Sequence, residues 1–333
     1  MKRRLPSMTA ALVVVAAMAT LPLWLANTYY INVASQILFW AIFALGLNVL
    51  VGYAGLTSLG HAALFAMSGY TAAIVVTAGG GHLLGAVSAI AMTVATAAVF
   101  AVLALRATGI GFLMITLAMG QIVWGIAYRW AALTNGDNGI NFKTRPQPFG
   151  VDLTSAPAFY YAVLLVFLAA VMTMAVFVRS PLGAAVRGTR DQPRRMTALG
   201  YNVWLVRFAA FLLSGFWTAV AGLLFLYYNQ FISPQVAALQ TSAEALLMVI
   251  SGGTATILGP IAGAAIVVIM KTVVSAYVER WNMVLGVIFV LIISFMPDGL
   301  VPGISRLVRS LSPRRRGRAT GERAGKTASE ARP

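Results

Sequence analysis

Residues 187–202 read RGTRDQPRRMTALGYN, where four arginines (Arg187, Arg190, Arg194, Arg195) and Asp191 crowd together before the apolar Ala198-Leu199-Gly200. Such a charged island suits docking better than catalysis. Elsewhere the chain offers few groups that do chemistry. Only Glu244, His61 and Lys271 could serve proton or ion coupling from within apolar stretches, as ionisable side chains at membrane depth do. A membrane enzyme needs paired carboxylates, a histidine cluster or a nucleophile with its base. Two histidines, no cysteine and eight scattered acids provide none of these. The lack of cysteine also excludes disulfides, Fe–S clusters and thiol catalysis. No metal set and no cofactor site is expected. A Walker A loop, GxxxxGK[ST], is missing too, so any ATP must act through another chain.

The elements that hold these residues are greasy. Hydrophobic residues make up 60% of the 333 and charged residues 10%, against roughly 45–50% and about 25% in soluble domains. Part of the solvent is therefore a lipid bilayer. The formal charge of +16 comes from 24 Lys+Arg against 8 Asp+Glu. No basic face with interleaved aromatics accompanies it, which argues against nucleic acid as a partner.

A membrane-spanning helix takes about 20 apolar residues. Continuous runs of about that length lie at 8–26, 83–105, 109–131, 158–178 and 208–228, with shorter ones at 35–51 and 281–296. Two more, 56–78 and 242–278, are broken by glycine. The second has room for two short elements hinged at SGGTATILGP. The expected fold is an all-α, multi-pass integral membrane protein. The bias of Lys and Arg toward cytoplasmic loops puts Lys2, Arg3 and Arg4, the island and the basic tail inside, with both termini cytoplasmic. About ten transmembrane or re-entrant helices satisfy both ends, and about eight crossings plus a re-entrant loop is the alternative. The first run also has the form of a cleavable signal peptide. Residues 1–305 are expected to form one transmembrane domain with a cytoplasmic loop at 179–207. The tail 306–333, rich in Arg, Gly and Ser/Thr, reads as disordered.

Within this frame most motifs have a structural and a functional reading. Gly183 to Gly200 reads as a short helix–turn–helix whose Met196, Leu199 and Val203 form one apolar stripe. It is either an amphipathic loop on lipid headgroups or a docking surface. Gly52, Gly55 and Gly60 let helices pack closely, or they line a pathway beside Ser58. His61 is either a hydrogen-bonded structural residue or a proton carrier. Asn48, inside a span, requires a partner in the bundle. Thr241-Ser242-Ala243-Glu244 has capping-box spacing, which makes Glu244 a helix cap. Gly252, Gly253, Gly259 and Pro260 break the helix and free backbone groups that need protein or water around them. TSLG at 57–60 and TILG at 256–259 hint at an internal duplication. The Asn135, Asp137, Asn138 segment is turn chemistry: an outer surface turn or part of a docking face.

SPLGAAVRGTRDQPRRMTALGYN resembles the cytoplasmic loop of permease subunits of branched-chain amino acid ABC importers. Gly183, Arg187, Arg190, Ala198, Leu199, Gly200 and Asn202 sit where that pattern has them, while Pro193 and Arg195-Met196 depart from it. GLNVLVGYAGLTSLGHAALFAMSGYTAAI (46–74) is similar to the family's most characteristic stretch, with Gly46, Leu47, Asn48, Gly52, Gly55, Ser58, Gly60, His61, Ala62 and Tyr70 in register. TNGDNGI (134–140), SAEALLMVISGGTATILGPIAGAAI (242–266) and FMPDGLVPG (295–303) resemble further segments in the same order.

The resemblance implies a permease subunit in a bacterial inner membrane. Its partners would be cytoplasmic ATP-binding subunits, which the 190–200 loop couples to the bundle, a second homologous permease in a heterodimer, and a periplasmic solute-binding protein. It implies branched-chain or related small amino acids as cargo. Urea or amide importers are closely similar, and a homodimer stays open. The rival from the residues alone is an ion-coupled secondary transporter or channel, which has no need for the island.

Overall fold

The computed structural model describes residues 16–22, 24, 27–142, 153–277, 280–296 and 299–303. Lys2 to Arg4, Lys143, Arg145, most of the first apolar run and the 306–333 tail lie outside the described residues. What is described is all-α apart from one pair of two-residue strands.

α1 (Thr28–Asn48) continues without interruption as a π-helix, Val49–Ala54. It is longer than its apolar run of 35–51, because Asn27 starts it early by accepting a hydrogen bond from the Tyr29 N–H at 2.9 Å. The helix is apolar all round, so it belongs in the middle of the bundle. Ile42, Phe43 and Ala44 are fully enclosed.

α2 (His61–Thr77), α3 (His82–Ala104), α4 (Ile110–Arg129) and α5 (Ala156–Arg179) follow. Two short helices, α6 (Pro181–Asp191) and α7 (Pro193–Ala198), interrupt the spans. α8 (Val203–Asn229) is the other long central helix. α9 (Leu239–Gly252), α10 (Leu258–Thr272) and α11 (Trp281–Phe295) complete the order. α1 packs against α5, α8, α9 and α10, and α8 also packs against α2 and α3. Among the described residues, six helical segments are long and apolar enough to cross a membrane: α1 with its π extension, α3, α4, α5, α8, and α10 with the turn after it.

α6 and α7 mark the basic end of the bundle. The opposite end carries β1 (Ile140–Asn141) and β2 (Phe231–Ile232), antiparallel with Ile140 opposite Ile232. Tyr29, Tyr30, Tyr128 and Trp130 are exposed toward this strand end, and Tyr201 and Trp204 toward the basic end, as aromatic belts at membrane interfaces are.

α2 starts deep inside the bundle, where His61 meets Ser214 of α8 at 2.9 Å. The non-helical link 55–60 therefore occupies the space between the end of α1 and that point. Irregular backbone is tolerated at such depth only if its polar groups are met inside the protein. They are: Leu56 N–H donates to Leu50 C=O at 2.9 Å, and Leu59 N–H to the Thr116 hydroxyl at 3.2 Å. The first turn of α2 is served by Ser242, whose hydroxyl accepts from Ala62 N–H at 3.0 Å.

Candidate functional site

The charged island folds as two short helices between the spans α5 and α8. Ser180 caps α6, accepting from the Gly183 N–H at 3.1 Å, and Pro181 occupies the first turn, where its missing N–H costs nothing. Gly183 permits the close return of the chain, since a Cβ there would lie 2.1 Å from the Phe177 carbonyl. Arg187 donates to the Val178 carbonyl at 2.8 Å, and Arg207 at the start of α8 donates to the Thr189 carbonyl at 2.8 Å. The pair is thus fastened to the ends of both α5 and α8.

α7 stops at Ala198. Gly200 turns left-handed (φ +86°), while Gly200 N–H donates to Thr197 C=O and Tyr201 N–H to Met196 C=O, both at 3.0 Å. This is glycine helix-termination chemistry. It overturns the expected stripe of Met196, Leu199 and Val203: Met196 packs on Gly188 and Leu199 stands 65% exposed at the tip. Ala198, Leu199 and Gly200 form an exposed tip, and Asp191, Arg194 and Arg195 are exposed charges on the same helix pair.

Arg190, itself 42% exposed and 3.8 Å from Asp191, reaches back to the end of α1. Its guanidinium donates to the Gly52 carbonyl, and its aliphatic stem lies on Gly55. Gly55 ends the π-helix with φ +70°, and a Cβ there would meet Arg190 Cγ at 2.8 Å. The Asn48 amide holds the link between α9 and α10 at two points: it donates to Thr256 C=O at 2.8 Å and accepts from Ala255 N–H at 3.1 Å. Gly52 makes room for this clamp, as its Cβ would fall 2.2 Å from Asn48 Oδ1 and 2.4 Å from Ala255 N.

Gly52 and Gly55 are therefore not the helix-packing glycines that their spacing suggests. One clears space for an amide clamp and the other for an arginine. Of the three, Gly60 meets the backbone of a neighbouring helix, with Thr116 C=O 2.4 Å from where a Cβ would be, and Gly52 meets the backbone of the link at Ala255. Beside Gly55 a cavity of 220 Å³ opens between Leu56, Thr57, Ile110 and Leu113.

The link 253–257 is itself tightly made. Ala255 has φ +56°, and Thr256 Oγ1 donates to Gly253 C=O at 2.8 Å and accepts from Gly259 N–H at 3.0 Å. Gly252 and Gly259 touch backbone to backbone, and Gly299, beyond α11, lies against Gly253. Pro260 is buried in the first turn of α10.

His61 lies outside this group, fully buried. Its Nδ1 faces Ser58 Oγ at 2.8 Å and its Nε2 faces Ser214 Oγ at 2.9 Å. The Ser214 hydroxyl already donates to Gly46 C=O at 2.6 Å, so Nε2–H donates to Ser214 and Ser58 donates to Nδ1. A neutral imidazole satisfies every partner, which ties α1, α2 and α8 together.

Glu244 is not a helix cap. α9 begins earlier, with Ala238 at the N-cap, and the Thr241 hydroxyl donates to Gln235 C=O at 3.4 Å. The buried Glu244 carboxylate instead pairs with Lys271 of α10 at 2.9 Å. Asn135, Asp137 and Asn138 sit at the strand end, with Asn135 Nδ2 donating to Gly139 C=O at 3.0 Å and Gln235 Nε2 to Asp137 at 3.1 Å. Sequence reasoning misses Ser214, Arg207, Ala255 and Gly299, each of which acts only through a distant part of the chain.

The chain is thus a helical membrane bundle whose two internal breaks are joined by the Asn48 amide, with Arg190 tying the exposed helix pair to the first of them. The family described as "Branched-chain amino acid transport system / permease component" matches residues 29–293, and the chain belongs to it. It is 26% identical to the high-affinity branched-chain amino acid transport system permease protein LivM of Salmonella typhimurium, over 88% of this chain and 74% of that protein. It is 27% identical to the LivM protein of Escherichia coli, with the same coverage. No solved structure matches the chain significantly.

Proposed function

We propose that this chain is the membrane-spanning permease subunit of an ATP-driven importer for branched-chain amino acids in a bacterial inner membrane, with both termini cytoplasmic. Family membership and the LivM relatives support the cargo and the subunit's role. With the first apolar run, α1 to α5, α8 and α9 to α11 would make about ten membrane or re-entrant helices. The 190–200 loop is the cytoplasmic coupling element. Its Ala198-Leu199-Gly200 knob inserts into a separate ATPase, and Arg187, Arg190 and Asp191 lie behind it. The Asn135–Asn138 turn, at the opposite end, faces an external solute-binding protein. A second homologous permease completes the pathway.

One observation carries the reading of the loop: Arg190 of α6 bonds Gly52, and the next polar side chain along α1, Asn48, clamps the break between α9 and α10. A push on the knob therefore reaches both broken segments through short, directional contacts. Closure of an ATPase dimer moves α6 and α7, and α1 with its partner link tilts in response, so that the pathway opens alternately to each side. The test is reconstitution of the permease pair with its ATPase in vesicles. Leucine uptake that requires ATP, hydrolysable nucleotide and the binding protein supports the reading. Uptake by this chain alone, driven by an ion gradient, contradicts it.

A further inference from the structure

We infer that Glu244 and Lys271 form a docking site for the zwitterionic head of the transported amino acid, reached from the strand end of the bundle; this rests on the importer reading above. The pair is unlike a buried structural staple. Glu244 is 7% exposed, but Lys271 is 43% exposed on the outer surface of the chain. Its ammonium sits 5.8 Å from the Trp40 ring, and Trp40 lies near the middle of the Thr28–Ala54 span. A cation there is costly against acyl chains, which favours water or protein on the open side of Lys271.

The pair also has unused capacity. An ammonium carries three donors, and Lys271 makes one hydrogen bond, to Glu244 Oε2. Glu244 Oε1 accepts one long bond, from Gln240 at 3.3 Å. Further polar groups converge above it: Thr272 Oγ1 donates to Gln36 at 3.3 Å and Tyr29 OH to Thr272 C=O at 3.1 Å. Leu239 and Ile269 are exposed on the two helices that carry the pair. An α-carboxylate against Lys271 and an α-ammonium against Glu244 match the pair charge for charge.

The experiment uses the complete transporter in vesicles, with radiolabelled leucine and saturating binding protein. Lys271→Gln and Glu244→Gln are each expected to lower maximal uptake about tenfold or more, the effect of losing one charge-assisted contact. The ATPase should still co-purify, and its hydrolysis should still respond to loaded binding protein. The reversed pair Glu244→Lys/Lys271→Glu should assemble yet not recover uptake, because the site has a fixed polarity. Recovery by the reversed pair would make the two residues a staple and overturn the inference. So would unchanged uptake in the single variants, or uptake lost together with assembly. A wild-type complex that carries no leucine at all would instead overturn the importer reading beneath it.

Discussion

Arg190 and Gly52, 138 residues apart in the chain, join the charged helix pair to the π-helical end of α1 through one hydrogen bond from guanidinium to carbonyl. Gly55 lies under the stem of the same arginine. The polar island in an apolar chain thus has two faces: one is a solvent-exposed knob, and the other is a tether to the buried core.

Gly55 is where that tether is most sensitive to bulk. Gly55→Ala forces a left-handed φ on an L-residue, costing about 1–2 kcal/mol, and drives a Cβ into Arg190. Thermal unfolding in detergent should show the loss, and ATP-driven uptake should fall further than stability alone explains. An alanine variant with wild-type uptake would show that Arg190 needs no seat there.

Asn48 should control the order of the α9–α10 link. Asn48→Leu strands the Ala255 N–H and the Thr256 carbonyl, at about 1–3 kcal/mol for each buried group left unpaired. Hydrogen exchange across residues 253–257 is expected to speed up in this variant, with residues of α3 and α4 unaffected. Unchanged exchange would mean that the Thr256 contacts within the link suffice to hold it.

His61 should prove structural. His61→Ala leaves Ser58 and Ser214 without their partner, at a cost of about 1–3 kcal/mol, and thermal stability should drop accordingly. Uptake by the folded fraction should keep the ATP requirement and the pH profile of the wild type. A changed pH profile, or proton movement that vanishes with the histidine, would revive a coupling role.

How much of this is legible in the chain depends on the range of the interactions. The apolar runs mark α3, α4, α5 and α8 closely, since burial in lipid is a property of local composition. Proline at 181, the glycine at 200 and the arginines between them likewise announce a helix pair by local rules. Glu244 shows where local rules stop. Its spacing from Thr241 fits a capping box, but the ion pair with Lys271, 27 residues on, prevails once the chain folds back at Gly253. Gly52 and Gly55 read as packing glycines for the same reason: the arginine and the amide that need their space come from elsewhere in the chain or meet it only after folding. Helix existence is written locally, whereas the clamp that joins the two breaks is not.

Arg190 and Leu199 should separate transmission from docking. Arg190→Gln loses the tether to Gly52 but leaves the knob intact, so the ATPase is expected to co-purify while uptake falls about tenfold, as for one charge-assisted bond. Loss of ATPase binding in this variant would place Arg190 in the docking surface instead.

The most direct measurement is a mild-detergent purification of the permease from its native membrane, wild type beside Leu199→Asp, with co-purifying chains identified and leucine uptake measured in parallel. The lever account expects an ATPase subunit with the wild type, none with Leu199→Asp, and a variant bundle that unfolds at the wild-type temperature but carries no leucine. Full uptake and a retained ATPase in Leu199→Asp would contradict it.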